Sequence, residues 1–141
     1  MKIISHRGNF LGANPETENN PKQIDYVIDK GFDVEIDLWI KNDKLFLGHD
    51  KPSYEINEKW LFERTKKIWV HLKNIDSIYF VSNTDLNYFW HENDKFTLTS
   101  KNIPWCYPGI YIKGGITVVT NKEKELFDIL GICTDYTGEY L

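Results

Sequence analysis

Cysteine is nearly absent. Cys106 and Cys133 are the two in 141 residues, too few for the disulfide framework that staples small secreted folds. The expectation is a pair of reduced, buried thiols in strands. Long apolar runs are missing as well. No stretch approaches the roughly 18 residues that a membrane span requires. Met1 to Gly8 has no apolar run of the leader type, and His6-Arg7 interrupts it. No stable membrane insertion is expected, and with the cysteine usage this points to the cytoplasm. Positive charge is also scarce: 17 Lys and Arg stand against 21 Asp and Glu, a net charge of −4. That excludes the broad basic stripe of a nucleic-acid binder, while leaving room for a local cationic site that takes one phosphate. Repeats, low-complexity tracts and linkers are absent, so residues 1–141 read as one domain.

What the chain does have is aromatic residues, at 15%, and a strand–helix alternation. Lys2 to Ser5 reads as a buried strand ending at His6-Arg7-Gly8. Asn20 is placed to cap a helix with Pro21 at its first position, and Gly31 stops it. Asp33 to Ile40 alternates, with Val34, Ile36 and Leu38 on one face and Glu35 and Asp37 on the other. A turn at Asn42-Asp43 returns the chain as Leu45 to Leu47, which ends at Gly48-His49-Asp50. Glu55 to Lys67 is predicted helical and Ile68 to Leu72 a strand. Short strands are predicted at Tyr88 to Trp90, Thr97 to Thr99, Trp105 to Tyr107, Ile116 to Val119 and Ile132 to Thr134, with a helix at Lys122 to Leu130. Strands interleaved with helices favour an α/β fold with a parallel sheet. The later gaps are too short for full helical crossovers.

Chemistry concentrates at the ends of the early strands. Glu35 and Asp37, two apart on one strand, share a face and lie close enough to share a cation. Burying such a pair alone is costly, and a divalent ion with oxygen ligands, Mg²⁺ or Ca²⁺, resolves that cost. A solvent-facing polar strand is the bland alternative. His6 and His49 each follow a strand, where α/β barrels place their chemistry, and two imidazoles can divide general acid and general base work. Arg7 offers a planar fork for phosphate oxygens. Each residue has an ordinary structural explanation, and their recurrence on successive strand ends argues against coincidence. His91-Glu92-Asn93-Asp94 reads as a solvated turn or as support for the cluster, and Asp135 is similarly open.

The ordered set His6-Arg7-Gly8, Glu18-Asn19-Asn20, Glu35-Ile36-Asp37 and Gly48-His49-Asp50 resembles the signature of the glycerophosphodiester phosphodiesterase family, a metal-dependent group related to phosphatidylinositol-specific phospholipases C. The resemblance covers Met1 to Asp50. It implies a TIM-like (β/α) barrel, here reduced, with several outer helices missing. It implies Glu35 and Asp37 as metal ligands, His6 and His49 as the acid/base pair, and Arg7 on the phosphate. Glu18 matches the family's loop glutamate, which orients the site, although Thr17 and Asn20 depart from its Pro and Thr. Where the family has a Glu-x-Lys strand, this chain has His71-Leu72-Lys73. Lys73 is implied as a phosphate contact. His71 replaces the third ligand: either it ligates, tilting preference toward Mn²⁺ or Zn²⁺, or a water fills the position and the metal is held weakly, and a plain buried histidine reads as well as ligation. Trp105 matches an aromatic that borders the substrate.

The resemblance thus implies a metal-dependent hydrolase of a small, glycerophosphodiester-like substrate. Two alternatives are a non-catalytic phosphate- or headgroup-binding module and a lipid phosphodiesterase of phospholipase C or D type. The absence of an amphipathic basic segment weighs against the last. A barrel short of helices exposes apolar strand faces, which a homodimer would cover.

Overall fold

The computed structural model describes residues 1–121 and 128–141. Strand β1 (Lys2–His6) leads to helix α1 (Pro21–Asp29), strand β2 (Asp33–Lys41) and the hairpin β3 (Lys44–Leu47) and β4 (Tyr54–Ile56). Next come α2 (Glu58–Glu63), β5 (Ile68–Leu72), α3 (Ile75–Val81), β6 (Asn87–Phe89), β7 (Phe96–Leu98) and β8 (Pro104–Cys106). Strands β9 (Ile116–Val119) and β10 (Gly131–Thr134) and a 3-10 turn (Thr137–Tyr140) complete the described elements.

The result is a mixed α/β fold on a ten-stranded sheet. Its central run is parallel, in the order β6-β5-β2-β1-β10-β9-β8, with β3, β4 and β7 added antiparallel. Among the described residues the ladder stops at β6 on one side and β7 on the other, so their sheet does not close into a barrel. One main-chain hydrogen bond and several side chains span the opening instead. Ser100 N donates to Tyr88 O at 2.7 Å, Tyr88 N donates to Ser100 Oγ at 3.0 Å, and the Phe89 ring stacks on Trp105 with centroids 4.6 Å apart.

Strand alternation sorts the core into two clusters. Val34, Ile36 and Leu38 of β2, with Ile68, Val70 and Leu72 of β5, pack under Ile24 and Val27 of α1, Leu61 of α2 and Val81 of α3. The opposite face carries Ile4, Trp69, Phe89, Trp105, Ile116 and Cys133. A parallel sheet covered on both faces needs this continuous apolar content. Glu35 and Asp37 share the second face and are 2% and 0% exposed, so the solvent-facing alternative for β2 does not hold. Both cysteines are free and buried, as expected. Among the described residues no helix is long and apolar enough to cross a membrane.

Three elements differ from the sequence reading. The helix expected over Glu55 to Lys67 is confined to Glu58–Glu63, because Tyr54–Ile56 pairs with β3 and the Asn57 side chain caps the helix at Trp60 N. Helix α3 was not anticipated, although Asn74 and Ser77 form a reciprocal capping box at its start. The helix expected at Lys122 to Leu130 falls mainly outside the described residues. Its described end, Asp128 to Leu130, is not helical, and Asp128 has φ 63°. Strands β6, β7 and β8 sit one residue earlier than expected, β10 starts one residue earlier, and β9 matches its expected bounds.

Candidate active site

Strand β1 ends in a sharp bend that sets the site. Arg7 takes a left-handed φ of 59° and Gly8 one of 84°. This conformation is unfavourable for a residue with a side chain. It lets Arg7 N donate to both the main-chain carbonyl of Glu35, at 3.0 Å, and its carboxylate Oε2, at 3.2 Å. At the end of β3, a Cβ on Gly48 would lie 1.9 Å from the Lys51 carbonyl oxygen. Only glycine therefore allows the turn that delivers His49.

The carboxylates are held from several sides. Asn19, itself left-handed at φ 62°, donates through Nδ2 to Asp37 Oδ2 and accepts from Asp37 N, both at 2.9 Å. Arg7 lies with Nε 3.6 Å from Asp37 Oδ2, Nη1 3.3 Å from Glu18 Oε2 and Nη2 3.3 Å from His49 Nε2. A guanidinium only donates, so this contact suits His49 with its proton on Nδ1, the atom 3.7 Å from Asp37 Oδ2. Burial opposes the charge on Arg7, but Glu35, Asp37 and Glu18 outweigh it and raise its pKa. Burial likewise works against ionised Asp37, yet the nearby imidazoles of His49 and His71 and the hydrogen bond from Asn19 hold its pKa far below the usual range.

His6 is oriented by a residue far along the chain. Its Nδ1 lies 3.0 Å from Asp135 Oδ1, which fixes Nδ1 as the donor and turns Nε2 toward Glu35 Oε2 at 4.0 Å. Burial lowers the His6 pKa, but Asp135 and Glu35 more than compensate and the net shift is upward. Asn9 bridges the two supporting acids, donating to Asp135 Oδ1 at 2.8 Å and Glu18 Oε1 at 3.1 Å.

His71 stands beside both acids, with Nδ1 3.2 Å from Asp37 Oδ1 and 3.7 Å from Glu35 Oε1. Its ring stacks on Phe89 at 5.0 Å, and Nε2 is 2.9 Å from the His91 carbonyl oxygen. Burial pulls its pKa down, but Asp37 and Glu35 raise it to about 9. Lys73 Nζ is 4.0 Å from Asp37 Oδ1. Asp37 Oδ1 is buried yet accepts no hydrogen bond, because His71 approaches it off the hydrogen-bond line. One donor atom each from Glu35, Asp37 and His71 lies within 4.8 Å of the others. An orphaned anionic oxygen amid such a donor set fits a cation.

These groups surround one cavity of about 410 Å³. His6, Arg7, Glu35, His49, His71 and Lys73 line one part of it, and Trp105, Tyr107 and Pro108 form an apolar wall. The structure thus brings together the residues singled out in the sequence. Asp37 lies beneath, Glu18 supports Arg7 from behind, and Trp105 belongs to the core while also touching the cavity. The 91–94 segment is a turn with a buried member: His91 is 8% exposed, donates through Nε2 to Asp94 O at 2.6 Å and packs on Tyr107. Asn9, Asn19 and Asp135 are the residues that the sequence reading did not assign. The one available signal was their position immediately after strand ends or inside the 18–20 motif. Compared with known protein families, curated proteins and solved structures, the chain matches none.

Proposed function

We propose that the protein is a metal-dependent phosphodiester hydrolase of the glycerophosphodiester phosphodiesterase kind, on a reduced TIM-like arrangement of parallel strands. The observation that carries this reading is convergence: the imidazoles of His6, His49 and His71, a guanidinium, an ammonium and the Glu35 carboxylate line one cavity, with the Asp37 carboxylate beneath it, from β1, β2, β5 and the end of β3. A divalent cation held by Glu35 and Asp37 would neutralise charge on the phosphate oxygens. Arg7 and Lys73 bind the remaining oxygens and orient the phosphorus. His6, aligned by Asp135, and His49, at the opposite side of Arg7, then serve as the proton donor and acceptor on the leaving and attacking oxygens. The Trp105–Tyr107 wall takes the alcohol moiety.

The test is turnover of glycerophosphodiesters and of bis(4-nitrophenyl) phosphate with added divalent metals. His6→Ala and His49→Ala are each expected to lower the rate by about a hundredfold to ten-thousandfold with an unchanged circular-dichroism spectrum. Either variant turning over like the wild type refutes the assigned pair.

One observation favours a second reading, the non-catalytic phosphate-binding module. With its pKa raised to about 9 by the two acids, His71 could itself neutralise them as an imidazolium. Under that reading inorganic phosphate binds, but neither metal binding nor cleavage is seen.

A further inference from the structure

We infer that Glu35, Asp37 and His71 form a two-carboxylate, one-imidazole metal site selective for transition ions such as Mn²⁺, Co²⁺ and Zn²⁺ over Mg²⁺ and Ca²⁺, with the His91 carbonyl fixing the histidine for ligation. The inference rests on the proposed cation role of Glu35 and Asp37 and adds to it the third ligand and the class of metal.

The argument starts from His91. Its carbonyl oxygen can only accept, so the ring nitrogen 2.9 Å away, His71 Nε2, carries a proton. In the neutral ring Nδ1 therefore presents its lone pair, and that atom is the one 3.2 Å from Asp37 Oδ1 and 3.7 Å from Glu35 Oε1. A lone pair facing two anionic oxygens is repulsive unless something positive lies between them. A proton on Nδ1 relieves that repulsion in the metal-free protein, but the contact to Asp37 is off the hydrogen-bond line and Asp37 Oδ1 keeps no donor although fully buried. An ion seated among the three atoms satisfies all of them together. Two ligands about 2.1 Å from one ion at a right angle are roughly 3 Å apart, close to the separations seen here.

Ring placement points the same way. Phe89 stacks on His71 at 5.0 Å, and the His91 carbonyl holds the far nitrogen. This is the outer-shell support that metal-binding histidines use. His71 cannot step aside to leave a water in its place without losing both contacts. Imidazole nitrogen suits Zn²⁺ and Co²⁺, and Mn²⁺ accepts it in mixed nitrogen–oxygen sites, whereas Mg²⁺ and Ca²⁺ favour all-oxygen sites.

Metal-stripped full-length protein titrated calorimetrically with each of the five ions should bind Mn²⁺, Co²⁺ and Zn²⁺ at least about tenfold more tightly than Mg²⁺ and Ca²⁺. The Mn²⁺-loaded wild type should show ¹⁴N hyperfine coupling by pulsed electron paramagnetic resonance. In His71→Glu that coupling should disappear and Mg²⁺ and Ca²⁺ affinity should rise. Absence of ¹⁴N coupling in the wild type overturns the inference, and so does coupling that persists in folded His71→Glu. Equal or tighter binding of Mg²⁺ or Ca²⁺ by the wild type overturns it as well. The wild-type spectrum decides even if the variant does not fold. Nitrogen-coupled metal without diester cleavage upholds the site and removes the hydrolase reading. Cleavage by protein that binds none of the five ions removes the site and the metal dependence, and leaves only a metal-free hydrolase.

Discussion

At the scale of single residues, the site depends on side chains that hold other side chains. Asp135 fixes the tautomer of His6, and Asn9 ties Asp135 to Glu18. Asp135→Asn should lower the His6 pKa, since burial then acts with less opposition; an NMR titration of the His6 ring measures it, and an unmoved midpoint refutes the role. His71 gives a pH signature in the metal-free protein. Its folded pKa of about 9 lies above its ordinary value of 6.5. The stabilisation is therefore fully present below about pH 6.5 and is lost as pH rises through about 9, by up to about 3 kcal/mol. Denaturation midpoints followed across that window should fall in the wild type and hold level in His71→Gln. The chemical residues were legible at this scale because strand alternation and strand ends announce them. Their partners were not, since nothing local marks that Asp135 will face His6 across the β1–β10 pairing.

Among the elements, β2 was read almost to the residue, because its alternation and its burial agree. The misread regions are those where tertiary pairing competes with propensity. Tyr54–Ile56 is drawn into a strand by β3, which shortens α2. Helix α3 has a strong local signal in Asn74, whose importance exceeds that of a cap. Besides accepting from Ser77 N at 3.2 Å, Asn74 accepts from Ile40 N at 3.2 Å and donates to Ile40 O at 2.7 Å. It thereby ties the start of α3 to the end of β2. Asn74→Ala should cost about 2 kcal/mol in chemical denaturation. A loss below about 0.5 kcal/mol means that the cross-connection contributes little.

For the molecule as a whole, the parallel order of strands followed from their alternation with helices, but the open ladder between β6 and β7 did not. Sequence spacing showed that helices were missing and was silent on which seam would stay unpaired. Some of the uncovered apolar residues lie there and on α3: Phe96 and Leu98 of β7 are 49% and 57% exposed, and Ile75 and Tyr79 are 64% and 74% exposed. The far end of the chain closes over the first loop. Thr137 Oγ1 donates to Asn9 O at 2.9 Å, Gly138 N to Phe10 O at 2.9 Å and Gly12 N to Asp135 O at 2.9 Å. Truncation after Tyr136 should therefore loosen residues 9–12 as well as lowering the melting temperature. Hydrogen exchange checks it: amide protection at Gly12 equal to that of the full chain contradicts the coupling.

The pairing of β1 with β10 also has a consequence in time. During synthesis His6 leaves the ribosome well before its aspartate partner, which lies 129 positions further along the chain. The early half can collapse around β2 and its helices, yet its first strand waits with one edge open. Completion of the constellation thus waits for β10, and a nascent fragment stalled before Asp135 holds its histidine without the acid that aims it.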